Sequence, residues 1–277
     1  MKLIHVLRAV YCEPWLIRAE IHAQIAGIVK AHVDGTAHML GKMNDMEDGS
    51  ELCPQMTEDG VCIIPVDGII GKRVSALEKS SGVVDSEDLC AALEMAMTDA
   101  SVRAVVLDIN SPGGTVTGTP ECAEKVAELT SVKPVIAYCD MMCCSAAYWI
   151  ASQANAIYAS GSASIGSIGV YVSMLDQSRA AEMAGLKQEV FRAGKYKGMG
   201  IPGTSLNEEQ RAHMQERVDM IHTQFKAAVR KGRGMNIADE CMEGQDFYGL
   251  ECVSNGLVDS IASRAEAIRD AAKLARR

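Results

Sequence analysis

Between residues 39 and 212 this 277-residue chain has no histidine, and that gap constrains any reading of its chemistry. The six histidines are His5, His22, His32, His38, His213 and His222, so a nucleophile in the middle of the chain has no imidazole base near it in sequence. A Ser-His-Asp triad is disfavoured on order, although such triads are defined by geometry. Positive charge is also short. Lys and Arg number 27 against 36 Asp and Glu, a net charge of −9, which argues against a nucleic-acid partner that must be met by clustered cations. The ten cysteines form no CxxC pair. Cys90, Cys122, Cys139, Cys143 and Cys144 read as small buried residues of a reduced compartment, and neither a metal nor another cofactor is expected. No apolar run reaches the roughly 18 residues of a membrane span. Arg8 interrupts the core that a signal peptide would need, so a soluble cytoplasmic protein with no membrane partner is expected. A GxSxG elbow is missing, which speaks against an α/β-hydrolase, and no internal repeat or low-complexity tract is found.

What is present reads as an α/β enzyme. Residues 1–50 form an N-terminal extension whose segment Trp15–Val33 has a helical period through Ile17, Ile21, Ile25, Ile28 and Val29. This is expected to be a helical arm, packed on a neighbouring subunit or on its own domain. Residues 51–60 close a Gly- and Asp-rich linker, and the body spans 61–277. Strands are expected at Val61–Val66, 102–109, Pro134–Cys139, Ala156–Ala159, Val170–Ser173 and Gln188–Arg192, with helices between them. Asp85 or Ser86 caps one helix, Thr117–Thr130 forms another, and a third contains Ser145. Strand–helix alternation implies βαβ units. A long helix follows, with Ser205 and Glu208 as capping box, Met214, Val218, Ile221, Phe225 and Val229 as its apolar stripe, and Gly232 as its end. His213 and His222 on this helix read as surface or edge residues. A last strand–helix region, with Asn255–Asp259 in it, leads to a basic tail.

Three stretches carry chemistry. Cys143-Cys144-Ser145-Ala146-Ala147 sets a serine among tiny residues where a helix begins, so free N–H groups and the helix dipole face any charge developing there. Asn110-Ser111-Pro112-Gly113-Gly114 ends a strand with glycines whose N–H groups no Cβ obstructs. Gly194-Lys195-Tyr196-Lys197-Gly198 sets lysines among glycines. A serine hydroxyl needs a base, and a desolvated lysine, its pKa lowered towards neutrality, can replace histidine. The plain alternative is an ordinary pair of surface lysines, a common Pro-Gly-Gly turn and a buried small serine.

These motifs resemble the signal peptide peptidase A family of serine peptidases, and best its phage branch, the capsid-assembly or head maturation proteases. The resemblance covers residues 61–260 and rests on Asp108–Gly114, Cys144–Tyr148 with Ile150–Ser152, Ser164–Val170, Gly194–Lys197 and Tyr248–Asp259. It implies a Clp-protease/crotonase-like fold of stacked βαβ units. It implies Ser145 as nucleophile, Lys197 rather than Lys195 as general base, Ser167 orienting the lysine amine, and an oxyanion hole from Gly113, Gly114 and the N–H of Ala146. It further implies a ring-shaped homo-oligomer, with serine and lysine of one site from adjacent subunits in some members, and as substrate a scaffold or portal protein or the chain itself. Two other readings stay open: a cytoplasmic signal-peptide- or peptide-degrading protease, and a non-catalytic capsid assembly factor. A crotonase-type acyl-CoA enzyme would share the fold without needing the serine–lysine pair.

Overall fold

The computed structural model describes residues 14–33, 52–79, 81–234 and 237–276. Its centre is three parallel strands, β3 (Val61–Asp67), β6 (Ala104–Ser111) and β8 (Val135–Cys144). They are apolar almost throughout because both faces of a parallel sheet are covered. Cys62, Ile64, Val105, Leu107 and Ala137 face a core closed by α3 (Ser86–Thr98) and α4 (Thr119–Thr130). Val61, Ile63, Ala104, Val106, Ile136 and Tyr138 face the other way, onto Ala267, Ala271 and Ala272 of α9 (Arg264–Leu274). Small alanines on α9 let that helix lie close against the sheet.

The eight-stranded sheet has the order β11 (Asp246–Tyr248), β10 (Ser164–Gly166), β8, β6, β3, β2 (Gln55–Met56), with β9 (Ala156–Ala159) beside the first half of β8 and β12 (Ser260–Ile261) beside β9. A smaller sheet runs β1 (Trp15–Ile17), β7 (Gly113–Thr115), β4 (Ile69–Gly71), β5 (Val83–Asp85). Remaining helices are α1 (Ala19–Val33), α2 (Ala76–Lys79), α5 (Ala146–Ala151), α6 (Ser178–Met183), α7 (Glu208–Arg233) and α8 (Leu250–Ser254). The expected α/β class with stacked βαβ units is the class observed.

Several local expectations are corrected. Trp15–Ile17 is a strand and not the first turn of a helix, because Leu16 is fully buried against β7 and a helix begins only at Ala19. Residues 170–173 and 188–192 hold no strand beyond a single bridge at Tyr171. The strand of that region is instead Ser164–Gly166, inside the Ser/Gly-rich stretch. Asn207 with Gln210, not Ser205 with Glu208, makes the capping box of α7. That helix ends at Gly234, at φ 83°, and not at Gly232, which lies within it. Within the stretch read as a linker, Gln55–Met56 form β2, antiparallel to β3. Met1–Arg8, the parts of the N-terminal extension at residues 9–13 and 34–50, and residue 51 of the expected linker lie outside the described residues. Among the described residues no helix is long and apolar enough to cross a membrane.

Candidate active site

Strand β8 runs to Cys144 and α5 starts at Ala146, so Ser145 alone makes the corner, at φ 55° and ψ −117°. A non-glycine residue there costs roughly 1–3 kcal/mol and persists only when its surroundings fix it. They do. The Ser145 N–H donates to Gly166 O at 2.7 Å, and its carbonyl accepts the first helical bond from Trp149 N–H at 2.9 Å. Tyr148 donates its hydroxyl to Leu257 O at 2.8 Å, and Trp149 stacks on Phe225 of α7 at 4.6 Å and 12°. Among the described residues Ser145 Oγ has no hydrogen-bond partner. The N–H groups at the start of α5, beginning with Ala146, have no intrahelical acceptor.

Gly113 is pressed against this corner. A Cβ on it would lie 3.0 Å from Ser145 Cβ and 2.1 Å from Leu16 O, and its φ is 108°. Its N–H is held weakly, by Ser111 Oγ at 3.2 Å. Gly114 is enclosed by backbone: it pairs with Leu16 and Ile70, and a Cβ there would sit 1.9 Å from Ile70 O. Ser167 lies across from Ser145, one residue beyond the register pair Gly166–Cys144. Its own φ is 50°, and its N–H donates to Gln245 O at 2.8 Å. Among the described residues only Arg73, Ser145 and Ser167 are non-glycines with positive φ, so two of the three strained positions fall together here.

A serine with an unoccupied hydroxyl, at a strained strand-to-helix corner, beside a strand glycine and at a helix start, is arranged for acyl transfer. A family model described as peptidase family S49 matches residues 127–277, the span that holds the Ser145 corner, Ser167 and the glycine–lysine stretch. The chain belongs to peptidase family S49. Similar curated proteins include the head-tail preconnector protein GP5 of Enterobacteria phage P21, 32% identical over 76% of this chain and 42% of that protein. The capsid assembly protease C of Escherichia phage lambda is 31% identical over 76% of this chain and 48% of its own length. Protease 4 of Haemophilus influenzae is 26% identical over 93% of this chain and 42% of its own length. The chain thus spans less than half the length of these relatives. Similar solved structures include an enoyl-CoA hydratase/isomerase family protein from Silicibacter pomeroyi (16% identity, TM-score 0.46, 82% of this chain and 83% of that one).

In this S49 chain neither lysine is bonded to the serine. Lys197 is exposed on the turn after Gly194 and makes no hydrogen bond or ion pair with Ser145 or Ser167. Lys195 is also exposed and is paired to Glu209 on α7, with its ammonium 4.7 Å from the Tyr196 ring. Ser145, Ala146, Gly113, Gly114 and Ser167 are gathered at one corner, and Lys197 makes no hydrogen bond to Ser145 or Ser167. The neighbouring thiols are no substitute for the serine. Burial drives the Cys143 thiol far above its ordinary range and holds Cys144 up at about 11, so neither supplies thiolate near neutrality.

Sequence reading missed the residues that hold this site. His222 Nε2 lies 2.8 Å from Met242 O and 3.2 Å from Ile168 O, tying α7 to the residue after Ser167. His213 stacks on Tyr196 at 4.1 Å, tying the same helix to the lysine turn. Both are half-buried and structural, and no residue spacing along the chain marks them. On β10 and β11, Ser164 donates to Asp246 at 2.5 Å and Tyr248 to the same carboxylate at 2.9 Å, with the Arg18 guanidinium 3.5 Å away. Burial alone would raise the Asp246 pKa, but these donors outweigh it and hold the carboxyl below its ordinary range.

Proposed function

We propose that the chain is a serine endopeptidase using a Ser145–Lys197 dyad, completed when a second copy brings its lysine turn to the Ser145 corner. The observation that carries this reading is the unbonded Ser145 hydroxyl at a φ 55° corner against Gly113, in a chain of family S49. In the reaction the neutral Lys197 amine takes the Ser145 proton as Oγ attacks a peptide carbonyl. The carbonyl oxygen becomes an oxyanion held by the N–H groups of Gly113 and Ala146, with Gly114 fixing the strand beside them. The lysine ammonium then protonates the departing amine, and water hydrolyses the acyl-enzyme. Ser167 accepts and orients the lysine amine. Phage head proteins, scaffold or portal, are the proposed substrates, in a ring-shaped homo-oligomer in the host cytoplasm or prohead. They are favoured by the names of the two phage relatives. A cellular peptide-degrading role is the second reading, favoured by the alignment of Protease 4 along nearly the whole chain.

The test is complementation. Ser145→Ala and Lys197→Ala are each expected to abolish cleavage of casein and of a head scaffold protein. Mixed after dissociation and reassembly, they should regain about a quarter of wild-type activity, the share of sites that random pairing of subunits restores. Full activity in Lys197→Ala alone would remove that lysine from the mechanism. Absence of any cleavage by assembled wild type would favour the non-catalytic assembly factor.

A further inference from the structure

A serine peptidase binds its substrate as an extended strand, because main-chain pairing with a sheet edge is what holds a carbonyl in register with nucleophile and oxyanion donors. In this chain the edge that could do so beside Ser145 is β7, and it is already taken. Strand β1 lies antiparallel on it, with Trp15 opposite Thr115, Leu16 opposite Gly114 and Ile17 opposite Gly113, and with Arg18 N–H donating to Pro112 O at 3.2 Å. On its other side β1 meets a second wall. Trp15 N–H donates to Tyr171 O at 2.9 Å and Tyr171 N–H to Trp15 O at 3.2 Å. The segment is thus clamped between two backbone walls, as a bound peptide would be.

Its register matters more than its presence. The point where a Gly113 Cβ would sit is 2.1 Å from Leu16 O and 3.0 Å from Ser145 Cβ, so the Leu16 carbonyl and the serine both border the same small space at Gly113. We propose, resting on the peptidase reading above, that Trp15–Arg18 is a resident inhibitory strand. It fills the peptide groove between β7 and Tyr171, and a substrate reaches Ser145 only by replacing it as an antiparallel strand on Gly113–Thr115. The strand is three residues long, so few ladder bonds hold it, while Trp15, Leu16 and Ile17 are all buried. It therefore leaves by exchange for a substrate strand that covers the same surface, and not by fraying into water. Further fastenings lie at its two ends: Trp15 packs on the His22 ring at 5.3 Å, and Arg18 reaches Ser164 at 3.4 Å and Asp246 at 3.5 Å. The occupant also states what the groove accepts: an extended segment with bulky apolar side chains at successive positions, followed by a cation facing the Asp246 carboxylate.

Two measurements on the full-length chain test this. The first is the rate at which a biotinylated fluorophosphonate labels Ser145 in wild type, Arg18→Ala and Trp15→Ala. Arg18 is partly exposed and its removal leaves the core intact, so that variant folds even if Trp15→Ala does not. Labelling is expected to rise about tenfold, the change that roughly 1.4 kcal/mol of lost docking produces. Labelling of a folded variant at the wild-type rate overturns the proposal while leaving the peptidase reading intact. The second needs no variant. Wild type is phosphonylated at Ser145 with a tripeptidyl diaryl phosphonate, which forms the Oγ–P bond and releases an aryloxide, and hydrogen exchange is followed at the Trp15 and Arg18 amides. Protection in the free chain that is lost on phosphonylation supports displacement, and protection unchanged by a bound peptide overturns it. If a variant whose Trp15–Arg18 amides exchange freely still leaves Ser145 unlabelled, the peptidase reading itself has failed, and the inhibitory strand falls with it.

Discussion

At the scale of single residues the candidate site is a set of exceptions to ordinary backbone geometry. Ser145 and Ser167 sit at φ 55° and 50°, and Gly113, at 108°, lets β7 lie flush against the serine. Gly113→Ala is therefore a sharp test of the corner. Its methyl would meet Leu16 O at 2.1 Å, a backbone atom with little room to yield, at a φ that an L side chain resists. The variant is expected to lose more than about 2 kcal/mol in urea unfolding, as β1 and the serine corner are forced apart. A variant as stable as wild type would mean that β1 and the corner do not touch in solution. Ser145 and Gly113 were legible in the sequence because their signals are local: tiny residues at a helix start, glycines at a strand end. That Lys197 is exposed and unbonded to Ser145 was not legible, because spacing along a sequence does not fix where a turn lies in space. His213 and His222 read as surface or edge residues on a helix with a clear apolar stripe. What makes them structural is a carbonyl and a ring contributed from elsewhere in the chain.

At the scale of elements, α7 shows where local patterns compete. Ser205 with Glu208 and Asn207 with Gln210 both satisfy a capping pattern, and the one that forms is the pair whose side chains and backbone N–H groups meet in both directions. Gly232 and Gly234 both suit a helix end, and only Gly234 takes the positive φ that ends the helix. Gly232 is kept for another reason: a Cβ on it would stand 1.9 Å from Ser152 O, at the end of the short helix that carries the Ser145 corner. In an exposed helix, alanine in place of glycine stabilises by about 1 kcal/mol. Here the sign reverses. Gly232→Ala should push α7 off α5, disturb the Trp149–Phe225 stack and lower the melting temperature. An increase in melting temperature would show that the two helices pack more loosely than described. The same competition explains β1 and β10. Each is three residues long, and each is a strand because a distant partner pairs with it, β7 for one and β8 with β11 for the other. Nothing in Trp-Leu-Ile or Ser-Ile-Gly announces that partner.

At the scale of the whole molecule, the central parallel sheet was legible because its strands are buried on both faces and read as continuous apolar runs. Residues 170–206 read less well because much of their apolar surface has nothing to pack against within the chain. Leu175, Met183 and Leu186 are each about two-thirds exposed or more, and Phe191 is 94% exposed, in the same arm that carries Lys197. Exposed apolar residues gathered in one segment mark an interaction surface. On the function proposed above, that partner is a second copy, whose Lys197 turn meets the Ser145 corner. Phe191→Glu follows as the test of this arm. Because the side chain touches almost nothing within its own chain, the melting of the isolated chain should shift by no more than about 0.5 kcal/mol of stability. Burying the new carboxylate against a neighbour should cost enough to lower the assembled mass in sedimentation, and casein cleavage should fall in proportion to the assembled fraction. A Phe191→Glu protein that sediments as wild type would remove the arm from the interface. One that is monomeric yet fully active would show that Lys197 reaches Ser145 of its own chain by a movement of the arm, and the composite site would have to be abandoned.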